Sequence, residues 1–139
     1  MGMERKGHLR PLGTLAPADR RPWSAADLDR SFEMPVELRK HISEYLKSCP
    51  VFLAWMEYTR DEIEDRFGVE GGSAIVSDGM YFWRMDAAAY VMEYGVALPE
   101  DAIRHFESLG WSPPVIDRER YLEIYQELDE LLGGGEPVQ

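Results

Sequence analysis

Ala74-Ile75-Val76-Ser77-Asp78-Gly79-Met80-Tyr81-Phe82-Trp83 is the stretch whose reading decides the fold. Two apolar runs, rich in β-branched and aromatic side chains, flank Asp78-Gly79. A tight two-residue turn needs positive φ, which aspartate and glycine tolerate, so the stretch predicts an antiparallel hairpin. Alternation along the returning strand places Tyr81 and Trp83 on one face and Met80 and Phe82 on the other.

Outward from the hairpin, the spacing predicts helices. Asp86 suits the N-cap of a helix to Tyr94 that Gly95 closes, with Ala87, Tyr90, Val91 and Tyr94 on its inner face. Pro99 opens a second helix with Glu100 and Asp101 in its first turn. Its stripe is Ile103, Phe106 and Leu109, and Gly110 ends it. Asp117 caps a last helix lined by Tyr121, Ile124, Tyr125, Leu128 and Leu132. Gly133-Gly134-Gly135 then stops regular structure, so 133–139 reads as a flexible tail.

On the other side, Leu38, Ile42, Tyr45 and Leu46 give one stripe of a helix from about Pro35 to Lys47. The run Val51–Met56 reads as a buried strand, with a helix continuing to Phe67 as the alternative. Residues 60–67 read as a short acidic helix ended by Gly68. Residues 1–30, punctuated by Pro11, Pro17 and Pro22 and by Gly2, Gly7 and Gly13, read as a basic arm that Trp23 pins to the body. Met34 stands just before the first helix and is an alternative translation start. The expectation is one α+β domain over 31–132: a small antiparallel sheet of about three strands with a central hairpin, packed on one face by four to five helices.

Composition narrows the function. A chain of 139 residues, 45% of them apolar, supports one core without disulfides or metals, and Cys49 is its sole cysteine. Neither of its longest uncharged stretches, 48–56 and 108–116, approaches the roughly 20 residues of a membrane span, and no apolar leader opens the chain. A cytoplasmic protein is expected. Residues 1–30 carry six basic and four acidic side chains and residues 31–139 nine and twenty-two, so a body of net −13 follows a segment of net +2. Such a body is repelled by phosphate backbones and anionic membranes; a basic protein is the partner that charge favours, although solubility alone also explains an acidic surface.

Tests for chemistry come out negative. Cys49 follows a helix C-terminus, where the dipole disfavours a thiolate, so it reads as a structural thiol. Gly72-Ser73 lacks the glycine of a nucleophile elbow, and Gly68-Val69-Glu70-Gly71-Gly72-Ser73 lacks the lysine of a phosphate loop. Asp61-Glu62-Ile63-Glu64-Asp65 would place Asp61, Glu64 and Asp65 on one helical face, more simply a solvated surface than a cation site. No catalytic, metal or cofactor residue is assigned. For partner binding the candidates are Glu57, Asp61, Glu64, Asp65, Tyr81 and Trp83, the last two only if they escape the aromatic core.

Asp78, Gly79, Trp83, Tyr90, Tyr94, Leu98 and Pro99 together resemble a pattern in small uncharacterised bacterial proteins: Asp-Gly, a tryptophan, a tyrosine-bearing helix, then Leu-Pro opening another helix. A looser likeness runs from Ile42 to Pro113-Pro114. Some such proteins look like companions of secreted toxins. The resemblance implies an immunity role; with the acidic body and the lack of a catalytic set, the expectation is a non-catalytic binding protein that occludes a partner through an acidic surface. The alternative is a small-molecule binder or enzyme with a pocket between the sheet and the Tyr90 helix.

Overall fold

Asp78 and Gly79 do make a tight turn, one residue out of the expected phase. In the computed structural model, which describes residues 9–17, 23–31 and 33–132 and the backbone of 136–137, β5 (Ile75–Ser77) and β6 (Tyr81–Arg84) pair antiparallel with Val76 opposite Trp83. The central turn residues are Gly79 and Met80. Gly79 takes φ 94°, where a side chain would be strained. Asp78 instead accepts the N–H groups of Met80 and Tyr81 on one carboxylate oxygen, each at 2.9 Å. The alternation holds: Val76, Tyr81 and Trp83 enter one core cluster, Ile75 and Phe82 the other.

β2 (Val51–Ala54) is a strand, not a helix, and pairs antiparallel with β5. These three antiparallel strands are the expected sheet, and two short ones extend it. β1 (Arg10–Pro11) joins β6 in parallel, and β7 (Glu136–Pro137) joins β2 antiparallel, giving the order β1-β6-β5-β2-β7. The sheet is therefore mixed. Within the supposed tail, residues 136–137 are paired backbone, while 133–135 and 138–139 lie outside the described residues.

Helices cover both faces, not one. On the first face α1 (Val36–Ser48), α2 (Ala87–Tyr94) and α3 (Glu100–Ser108) bury Ile42, Tyr45, Leu46, Tyr90, Val91, Ala102 and Phe106 against Tyr81 and Trp83. On the second, α4 (Arg118–Leu132) buries Ile124 and Leu128 against Phe52, Leu53, Ile75 and Phe82. Asp117 caps α4 through the N–H of Arg120. At α2 the expected cap is different: Asp86 precedes the helix, but its side chain bonds none of the first-turn N–H groups.

Residues 9–17 and 23–31 are not an arm. Leu9 and Ala16 join one core cluster; Leu12, Leu15, Ala25 and Leu28 join the other. The segment wraps past the β6 edge and feeds both faces, which a three-residue leucine spacing broken by prolines does not announce. Trp23 does pin it. Its indole N–H donates to the Thr14 carbonyl at 2.9 Å, and the Arg84 guanidinium lies 3.9 Å above its ring. The N-terminal residues of the supposed arm, 1–8, and residues 18–22 lie outside the described residues.

The acidic helix predicted for 60–67 is replaced by a second sheet. β3 (Tyr58–Arg60) and β4 (Gly68–Glu70) form a hairpin joined by residues 61–67. Asp61 explains why. Its carboxylate accepts the N–H groups of Ile63 (2.8 Å) and Arg66 (2.9 Å), bending the chain into a side-chain-capped turn that competes with helix.

Candidate functional site

The second sheet has one face toward the body and one toward solvent. Strand alternation puts Thr59 and Val69 inward and Tyr58, Arg60, Gly68 and Glu70 outward, and all four outward residues are exposed. On the inner face the Thr59 hydroxyl donates to Asp86 at 3.0 Å, and Asp86 is itself clasped by two Arg84 nitrogens at 3.0 and 2.8 Å. Phe67 meets the ring of Tyr90 edge-on, with centroids 4.9 Å apart. Two tyrosines of α2 complete the attachment. The N–H of Glu62 donates to the Tyr90 hydroxyl at 3.0 Å, and the Tyr94 hydroxyl donates to Asp61 in a short hydrogen bond.

These contacts set the local electrostatics. Burial would push the Asp61 carboxyl up, but hydrogen bonds from Tyr94 and from the N–H groups of Arg66, Ile63 and Glu64 outweigh it and hold the group below its ordinary value. Desolvation, then the hydrogen bond to Asp61, pushes Tyr94 up to about 12. Asp61 is thus a buried hinge pin with 4% of its surface exposed, and it does not share a helical face with Glu64 and Asp65. Contrary to the sequence expectation, Asp61 is not on a partner-binding surface: its oxygens are turned inward and occupied.

Outside lies a bare surface of mixed character. Met56 is 96% exposed and Tyr58 56%. The Tyr58 ring crosses the strand pair over Gly68, where a Cβ would meet the tyrosine hydroxyl and push the ring aside. Residues 56–70 carry six acids (Glu57, Asp61, Glu62, Glu64, Asp65, Glu70) and two bases (Arg60, Arg66), a net of −4. Both bases are engaged: Arg60 contacts Asp65 at 2.7 Å and Arg66 contacts Glu64 at 2.5 Å. Asp65 adopts φ 58°, which aspartate tolerates better than most side chains.

Of the residues singled out in the sequence, Glu57, Glu64 and Asp65 therefore fall together on or beside the hairpin. Tyr81 and Trp83 do not reach it. They are 3% and 1% exposed in the first-face core, so neither can act as a surface anchor. Met56, Tyr58 and Glu70 were missed. The signal was present in Tyr58-Thr59-Arg60, a β-prone triplet, and in the polar-apolar-polar order of Gly68-Val69-Glu70.

A second polar group lies inside. Asp78 accepts the Tyr45 hydroxyl at 2.6 Å on its other oxygen, which also lies 3.2 Å from His105 Nε2. Cys49 is near, buried, with its thiol on the Tyr45 carbonyl. Desolvation first, then the Asp78 charge, pushes that thiol up to about 12, so it keeps its proton and is no nucleophile at neutral pH. The carboxylate is saturated by donors and holds the β5–β6 turn to α1 and α3.

Tyr90, Val91 and Trp83 fill the space between the sheet and α2, where a pocket was expected. A cleft of about 280 Å³ opens elsewhere, between Ser24, Ala25, Leu28 and Arg30 and the hairpin tip at Glu62 and Ile63. Among the described residues no three His, Cys, Asp or Glu side chains are grouped to hold a metal ion, and no helix is long and apolar enough to cross a membrane. No protein family, curated protein or solved structure matches the chain.

Proposed function

We propose that the chain is a non-catalytic protein-binding module of the immunity type, which occludes a basic partner through the outer face of the β3–β4 hairpin. The observation that carries this reading is the pairing of exposed Met56 and Tyr58 with a segment whose exposed acids, Glu57, Glu62, Glu64, Asp65 and Glu70, outnumber its two already engaged arginines. Complementary charge speeds encounter with a cationic surface, and apolar side chains then slow dissociation. The chain's net charge of −11 and the resemblance to toxin companions support the same reading.

Affinity purification from the native host at low salt tests it, with the wild-type chain beside Met56→Ser/Tyr58→Ser. The expected result is a basic protein held by the wild type, lost from the double variant and released by moderate salt. Equal retention by both proteins, or no basic protein on the wild type, overturns the reading.

The 280 Å³ cleft beside Arg30 and Glu62 favours a second reading, capture of a small polar molecule. A thermal-shift screen of metabolites separates the two, since a ligand of the folded state raises Tm. A stabilising metabolite that Arg30→Ala abolishes would favour the cleft over the hairpin.

A further inference from the structure

The two sheets end differently. Each outer strand of the five-stranded sheet contains a proline, Pro11 in β1 and Pro137 in β7. In β1 the N–H groups of Arg10 and Leu12 point inward to Met80 and Phe82 of the β6 side, at 3.0 and 2.9 Å. Pro11 stands where an N–H would face outward, so that edge offers no donor to an incoming strand.

The second sheet has no such block. Gly71 N–H bonds the Glu57 carbonyl and Asp61 N–H bonds the Phe67 carbonyl, so positions 57, 59 and 61 face β4. The N–H and C=O groups of Tyr58 and Arg60 therefore point away from β4, along a free edge. Among the described residues no strand lies beyond either β3 or β4.

We propose that the partner contributes an extended cationic segment, which adds to the free edge of β3 as a third strand. This rests on the function proposed above and specifies its mode. Main-chain bonds to Tyr58 and Arg60 would supply register. Side chains on the outer face of the added strand would lie over Met56 and Tyr58, the exposed apolar pair on the β3 side; the β4 edge offers only Gly68 and Glu70. The run Met56–Arg60 spans about 14–17 Å, enough for a segment of roughly five residues. Lysine or arginine in that segment would meet Glu57 directly and would compete with Arg66 and Arg60 for Glu64 and Asp65. A second copy of this chain is a poorer occupant, because it brings two acidic surfaces together.

The test uses the full chain, ¹⁵N-labelled, with the peptide acetyl-(Lys-Val)4-amide at low salt, and the same peptide methylated at every residue's backbone nitrogen, which keeps the charge and removes the N–H of every residue. The expected result is at least about ten-fold slower exchange of the Tyr58 and Arg60 amides with the first peptide, and at least about ten-fold weaker binding of the second. Equal binding of both peptides without protection of those amides overturns strand addition and leaves the acidic-surface reading standing. No binding of either peptide overturns both. Protection at Gly68 and Glu70 instead refutes the β3 edge, and protection without peptide points to self-pairing and refutes the occupant.

Discussion

The five-stranded sheet and the β3–β4 hairpin solve the same problem, that of unpaired strand edges, in opposite ways. The first has helices on both faces, prolines in both outer strands and Trp83 at 1% exposure in its middle. The second has one face packed on α2 and one face bare, with outward-pointing backbone groups and Tyr58 at 56% exposure. Exposed edges invite association, and this chain places proline in both outer strands of one sheet and in neither strand of the other.

Substitutions can break that contrast. The largest effect is expected for Trp83→Ala, which should cost about 3–5 kcal/mol in urea unfolding, whereas Tyr58→Ala should stay within roughly 0.5 kcal/mol. Comparable losses at the two positions would show that the hairpin is a structural element. Leu12→Ala should cost about 2–5 kcal/mol, because its side chain is fully buried among α1–α3 residues; a surface-like value would restore the segment to an arm.

Asp61→Asn should loosen the hairpin by roughly 1.5–3 kcal/mol, read as faster amide exchange at Thr59 and Val69. The pH dependence follows from the lowered Asp61 value. A carboxyl depressed on folding contributes stability that is fully present above its unfolded value and is lost as pH falls through the folded one. Normalised for the intrinsic exchange rate, protection of those amides should fall on acidification below the ordinary carboxylate range, and Asp61→Asn should flatten that profile. The smallest effect belongs to Glu64→Gln with Asp65→Asn: within about 0.5 kcal/mol in stability, since both pairs are exposed, but with a shallower salt dependence of cationic peptide binding.

Legibility in the sequence followed locality. The β5–β6 hairpin and the four α-helices of the described residues were readable because Asp78-Gly79, Pro35, Gly95, Pro99 and Asp117 act on their immediate neighbours. The β3–β4 hairpin was not, because its decisive contacts are distant: Tyr94 reaches Asp61 across 33 residues and Asp86 holds Thr59 across 27. Local charge suggested a helix, and the Asp61 side chain overrode it. The core role of Leu9, Leu12 and Leu15 was hidden for a related reason. Their spacing matches neither strand nor long helix, and only the β6 edge gives those side chains somewhere to go. Of the site, the acids at Glu57, Glu64 and Asp65 were visible as composition, while Met56 and Tyr58 became visible only once the hairpin gave them an outer face.

Cys49 has a practical consequence. A lone sulfhydryl that is 7% accessible and holds its proton to about pH 12 should react with iodoacetamide only when α1 lifts from its neighbours. Alkylation rate then works as a stopwatch for opening of the larger sheet's covering helices, already installed in the natural chain. Because the hairpin is held by α2 and Asp86 and not by α1, Asp61→Asn should change that stopwatch less than Leu12→Ala does.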